Sequence, residues 1–224
     1  MAFDFSVIFL GQNVHFLLYG LLSTIFFSVS SFALSLLIGT VIAFGQLSSV
    51  TIYRAFSLAY LSWFRATPLL VQLFMLYYGL PLVLHVDTVA WISGIIALGM
   101  YSGSYSSQII RGAIQSIDRG QMEAGRSLGF SYPQTMRKII IPQAFLRMLA
   151  PLTNEFISLT KNSSLLSTIT VVELFRQANI LIADTYRTME FLVAIAVLYY
   201  LFNNLIGYVG MALETRFRTG GELQ

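Results

Sequence analysis

Residues 21–44 read LLSTIFFSVSSFALSLLIGTVIAF, without a single acidic or basic side chain. No other feature constrains the fold as much, because about 20 apolar residues in a helix cross the hydrocarbon core of a bilayer. Inside that core only helices and closed barrels satisfy their own backbone. A first span is expected within residues 14–44, where serines and Gly39 permit close approach of a neighbouring helix. Further spans are expected at 56–79, 89–110, 145–169 and 191–213. The expected fold is therefore all-α and integral to the membrane, one domain over 1–224 with about five transmembrane helices. Composition points the same way: 56% hydrophobic and 10% charged residues would leave a soluble domain short of charge.

Residues 1–12 read as an amphipathic or disordered lead-in. The first twenty residues hold no Lys or Arg, so they lack the basic start of a secretory signal peptide. With no cysteine there are no disulfides or thiolate metal sites, and His15 and His85 alone build no metal centre. A net charge of +3 is too small to suggest nucleic acid. Its placement says more. In a five-span arrangement Arg54, Arg111, Arg119, Arg126, Arg137, Lys138, Arg147, Arg216 and Arg218 fall on one side, and only Arg176 and Arg187 on the other. The positive-inside rule puts the first set in the cytoplasm, with the N-terminus outside and the C-terminus inside.

That orientation places the loop 111–144 in the cytoplasm. Residues 118–142, DRGQMEAGRSLGFSYPQTMRKIIIP, read as two short helices and a turn. Asp118 caps the first, Gly129 suits the left-handed position that ends it, Ser131 and Gln134 form a capping box for the second, and Pro142 stops that one. Small residues, Ala124 and Gly125, lie beside Met122, Leu128 and Phe130, a pattern suited to a docking surface.

The spacing of Glu123-Ala124-Gly125, Gly129 and Ile139-Ile140-Ile141-Pro142 resembles the EAA signature of permease subunits in ABC importers. Gly125 replaces the second Ala and Ile141 the Leu. The run FRATPLLVQL, 64–73, is similar to a stretch characteristic of the polar amino acid branch, with Ala66 where Gly is usual. The resemblance implies a type I importer permease fold. It also implies a coupling helix that docks on an ATP-binding subunit through Glu123, Ala124, Gly125, Ser127, Leu128, Gly129 and Phe130. The implied partners are two ATP-binding cassette subunits, a second permease subunit (identical or not) and an extracytoplasmic solute-binding protein, all at a bacterial inner membrane.

The chemistry is expected in the fourth span. Asn154, Glu155, Ser158, Lys161 and Asn162 are costly at membrane depth, and on a helix they fall within an arc roughly 120° wide. Such a stripe faces a bundle interior or a wet cavity. The helix is expected to break near Ser163-Ser164, freeing backbone groups for a zwitterion. The bland alternative is that Glu155 and Lys161 neutralise each other. Asn154, Glu155, Lys161, Asn162 and Ser163 match the cavity-lining segment of polar amino acid permeases. In the third span Tyr101 stands where related permeases often have Asn, and Gln108 where they have Glu. Glu155 favours a cationic amino acid, whereas Asn162 leaves a neutral one such as glutamine or cystine open. Arg65 reads equally as an interfacial side chain or a functional one.

No G-x-x-x-x-G-K-[ST], G-x-S-x-G or H-E-x-x-H pattern occurs, so no catalytic residue, metal or cofactor is expected in this chain. ATP and Mg would belong to the partner subunit. An ion-coupled secondary transporter is the alternative, but it calls for inverted repeats that the sequence lacks. Residues 171–186 are expected outside, as an amphipathic helix that meets the binding protein or as a covering loop.

Overall fold

The computed structural model describes the backbone of residues 3–221 and the side chains of residues 3–217; every element among them is helical. The lead-in is a 3-10 turn, Phe5–Phe9, capped by the Asp4 carboxylate, which accepts from the N–H and hydroxyl of Ser6 at 3.0 and 2.6 Å. The Asn13 amide holds Val7 O at 2.8 Å, and the Asp4 N–H donates to Glu190 at 3.1 Å. These bonds tie the turn to the helices that begin at Asn13 and Thr188.

Helix α1, Asn13–Leu47, makes its most extensive contact with α4, Ala90–Gln115. Lipid supplies no hydrophobic drive between helices, so close packing has to hold them. Thr24, Ser28, Ser31, Ser35 and Gly39 provide one small buried side chain per turn of α1. Ser35 Oγ meets Ser106 Oγ at 3.2 Å. A β-carbon on Gly39 would lie 2.9 Å from Ser106 Cβ and 3.1 Å from Ser107 N, so only glycine permits this crossing.

The stretch 56–79 is not one straight helix. It divides between α2, Thr51–Ala66, and α3, Leu69–Leu84, which meet at 106°. Pro68 disfavours the helical region for the residue before it, and Thr67 is extended (φ −111°, ψ 144°). Gln72 satisfies the carbonyls the bend frees, donating to Phe64 O and Thr67 O at 3.1 Å each.

The polar segment forms α5, Arg119–Ser127, with Asp118 accepting from the Gly120 N–H at 2.6 Å and Gly129 left-handed at φ +85°. The capping box of Ser131 and Gln134 then starts α6, Tyr132–Ile169. Pro142 does not stop it. The helix widens into a π turn at Met136–Ile140, where the Ile141 N–H reaches back to Met136 O, so the ring fits without ending the helix. The Gln143 amide donates to Ile139 O at 3.0 Å. From Ser163 to Ile169 the helix tightens to 3-10 and ends at left-handed Thr170, φ 68°.

Helix α7, Leu174–Thr185, leaves α6 at 51°. Its cap is Glu173, wholly buried, which accepts from the N–H groups of Phe175 and Arg176 at 2.8 and 2.7 Å and from Tyr199 Oη at 3.2 Å. Gly20 lets this corner abut α1, where the Leu174 N–H donates to Thr24 Oγ1 at 3.1 Å. The chain closes with α8, Thr188–Gly221, crossing α6 where Gly210 touches Thr153. By length and apolarity alone, Asn13–Leu47 and Thr188–Phe217 can cross a membrane, and up to four spans result if each bent pair counts as one. Ala90–Gln115 has the length, but its serines and glycines make it less apolar.

Candidate functional site

Between residues 152 and 166 of α6 the buried residues are Leu152, Leu159, Thr160, Ser163 and Leu166. The adjoining face carries Asn154 and Lys161, exposed, and Glu155, Ser158 and Asn162, half-buried. The expected polar stripe is thus one accessible face of a single helix. Ser163 stands behind that face: it is wholly buried, and its hydroxyl donates to Thr160 O at 2.8 Å. Regular helical winding already places it on the side of Leu159 and Leu166.

Glu155 and Lys161 do not pair. Ser102 Oγ of α4 donates to Glu155 Oε1 at 2.7 Å. Lys161 opens instead on a recess of about 330 Å³ shared with Ser164, Phe175, Leu192 and Tyr199. Arg187 and Glu190 do pair, at 3.5 Å.

Next to Ser102, Tyr101 extends the face along α4. Its hydroxyl meets that of Tyr105 at 3.2 Å, and the two ring centroids are 5.2 Å apart. The guanidinium of Arg65, at the end of α2, lies over the Tyr105 ring, 5.5 Å from its centroid. Lower on α4, Gln108 donates to Gln46 at 2.9 Å, and Arg111 donates to Gln46 and Gln108 at 3.2 and 3.4 Å. Gln108, Gly112, Ser116, Arg147 and Pro151 line a recess of about 310 Å³. A wider recess, about 530 Å³, lies among Tyr19, Phe26, Phe27 and Trp91, and no ionisable side chain other than a tyrosine lines it. Ser102 and Tyr105 were not named as site residues from the sequence, although hydroxyls recur through 101–107. Arg65, which reads from the sequence equally as interfacial or functional, reaches Tyr105 only because α2 crosses α4.

At the end rich in basic side chains, α5 presents Glu123, Ala124, Ser127, Leu128 and Gly129, all exposed, with Leu128 75% accessible. The Phe130 ring is half-buried under Lys138, whose Nζ lies 5.0 Å from its centroid. Gly125 alone is buried, seated on Thr135 and Ile139. It forms the back of the surface, and the others its front. No group of three or more His, Cys, Asp or Glu side chains fit to hold a metal occurs among the described residues.

A helical membrane bundle with a polar face along one helix and a capped helix presented at its basic end has the architecture of a solute permease. Residues 35–219 match the family described as "Binding-protein-dependent transport system inner membrane component", and the chain belongs to that family. It is a transporter component rather than an enzyme. It is similar to the glutamine transport system permease protein GlnP of Escherichia coli (strain K12), 34% identical over 221 residues covering 97% of this chain and 99% of that one. Its similarity to the arginine transport system permease protein ArtQ of Bacillus subtilis (strain 168) is 33% over 219 residues, covering 98% and 99%. Among solved structures, that of an amino acid ABC transporter with histidines superposes with a TM-score of 0.89 at 35% identity, covering 96% of this chain and all of that one. The MetNI methionine ABC transporter, in inward-facing conformations, matches with a TM-score of 0.74 at 19% identity over 90% of this chain, a likeness of fold alone.

Proposed function

We propose that this chain is the permease subunit of an ATP-driven importer of a polar amino acid and that it lines the translocation path with the stripe Asn154, Glu155, Ser158, Lys161 and Asn162. The accessible stripe carries this reading. Charged and amide side chains on one face of a membrane helix need water, a substrate or another subunit against them, because lipid offers no partner. Relatives named for glutamine and arginine transport and a neighbour described with histidines support amino acids as the substrate class. The chain works as a pair of permease subunits, crossing the membrane about five times with its basic end in the cytoplasm. The front of α5, with Glu123 and Leu128 at its centre, docks on an ATP-binding subunit, and a solute-binding protein delivers substrate at the other end. ATP binding shifts the pair between two states that open the stripe to opposite sides, by differential affinity for those states.

The test is ATP hydrolysis by the assembled transporter in nanodiscs with its binding protein, screened across the twenty amino acids and cystine. Stimulation by one amino acid, lost or redirected in Glu155→Gln, is the expected result. Stimulation untouched by both Glu155→Gln and Asn154→Ala would remove the stripe from the path. Purification without any ATPase would refute the docking role of α5.

A further inference from the structure

Arg65 is a cation at the edge of the polar face. Arg65 sits in the last turn of α2, just before the bend at Pro68. Among the described residues no carboxylate lies within salt-bridge distance of it. Its guanidinium faces the Tyr105 ring at 5.5 Å, with the Tyr101 ring tilted beside that one, 5.2 Å between centroids. One residue further along α4, Ser102 holds the Glu155 carboxylate at 2.7 Å. A positive end, two tyrosine rings and a negative end thus follow one another across α2, α4 and α6, Arg65 exposed and the other three half-buried.

We propose that Arg65 is a binding residue for the α-carboxylate of the transported amino acid, and that the Tyr105 and Tyr101 rings carry the ligand's aliphatic stem toward Glu155, which receives a cationic side-chain end. The inference rests on the amino acid permease reading above and narrows it to a basic amino acid. Three features single Arg65 out. A guanidinium presents a planar fork that matches a carboxylate in two parallel bonds, which an ammonium does not. Its place over an aromatic face fixes its plane while leaving its edge free. Lys161, the other cation that could hold a carboxylate, lies six residues from Glu155 on α6 and opens on a recess beside Phe175 and Tyr199, away from both tyrosine rings. The structural alternative for Arg65 is simple support of the α2 C-terminus, where a cation meets the helix dipole. That role has no bearing on which ligands are told apart.

The test is displacement of tritiated L-arginine and, separately, tritiated L-glutamine from the purified permease–ATPase complex without binding protein. The competitors are the same amino acid and its carboxylate-free counterpart, agmatine for arginine and 4-aminobutanamide for glutamine. In the wild type, arginine should outcompete agmatine by roughly 10- to 100-fold, as expected for hydrogen bonds to a charged group. Arg65→Gln should weaken arginine and leave agmatine unchanged, closing the gap to within about twofold. Arg65→Lys, which keeps the charge but not the fork, should fall between and covers the case in which the glutamine variant fails to fold. A gap that persists in Arg65→Gln but collapses in Lys161→Gln overturns the proposal in favour of the lysine. Equal weakening of both ligands overturns it in favour of structural support. Binding of glutamine but not arginine by the wild type refutes the Glu155 half while keeping the amino acid permease. Binding of neither overturns the proposal, while the permease reading stands or falls by the ATPase screen above.

Discussion

Replacing Gly125 with alanine sets two opposed effects against each other at the seat of α5, the helix proposed to dock on the ATPase. Alanine is favoured over glycine inside a helix by about 1 kcal/mol. The new β-carbon would lie 2.5 Å from Thr135 Cγ2, 2.9 Å from Ile139 Cδ1 and 3.1 Å from Thr135 Oγ1. All three are inside the roughly 3.5–4.0 Å optimum for such contacts. The end of Ile139 can swing aside. Thr135 cannot, because it is wholly buried and its hydroxyl holds Ser131 O at 3.1 Å, which leaves its methyl one position. Overpacking of this kind costs about 1–3 kcal/mol, so the clash wins by about 1 kcal/mol. Gly125→Ala should therefore speed amide hydrogen exchange across residues 119–127 about fivefold in nanodiscs. Adding Thr135→Ser removes the offending methyl and keeps the hydroxyl, and should return exchange to the wild-type rate or below. If Gly125→Ala alone slows exchange, the seat has slack and helix propensity decides the outcome, contrary to this account.

Gly39→Leu should reduce the folded fraction on size exclusion and lower the thermal midpoint, since the nearest obstacles include the backbone of Ser107. Gly79→Leu, into open space, should do neither, and equal effects would show that the α1–α4 contact is not specific. Glu173→Ala removes the cap of α7 and the acceptor of Tyr199, so exchange at the first turn of α7 should rise about tenfold or more. Glu173→Gln should fall between, and unchanged exchange in the alanine variant would mean that packing against Gly20 holds the corner by itself.

How far the sequence could be read depended on how local each cause is. The caps at Asp118 and Ser131 and the left-handed Gly129 were legible because each involves only residues two or three apart. The polar stripe of α6 was legible because period 3.6 persists from Asn154 to Asn162. Ser163 was named through the family resemblance alone, and regular winding already sets it apart from the stripe, on the side of Leu159 and Leu166. Pro142 carries a stop signal whose local meaning is cancelled by a π turn beginning six residues earlier. Pro68 was visible inside the second apolar run, yet hydropathy averages over a bend that the extended Thr67 makes sharp. The approach of Arg65 to Tyr105 depends on how α2 crosses α4, and no spacing within one helix encodes that.

The π turn at Met136–Ile140 has a consequence for how such chains diverge. It lies between the seat of the docking helix and the polar stripe on one unbroken helix, with Thr135 and Glu155 separated by roughly 30 Å of helix axis. A π turn amounts to one residue inserted into α-helical winding. Removing a residue there and restoring regular winding would leave the segments on either side in nearly the phase they have now, whereas the same deletion in a regular turn would rotate them by about 100°. The π turn is therefore the place along α6 where chain length can change with least effect on the angle between Thr135, beneath α5, and the polar stripe. A single-codon deletion elsewhere between them would re-index the two surfaces without altering a residue of either.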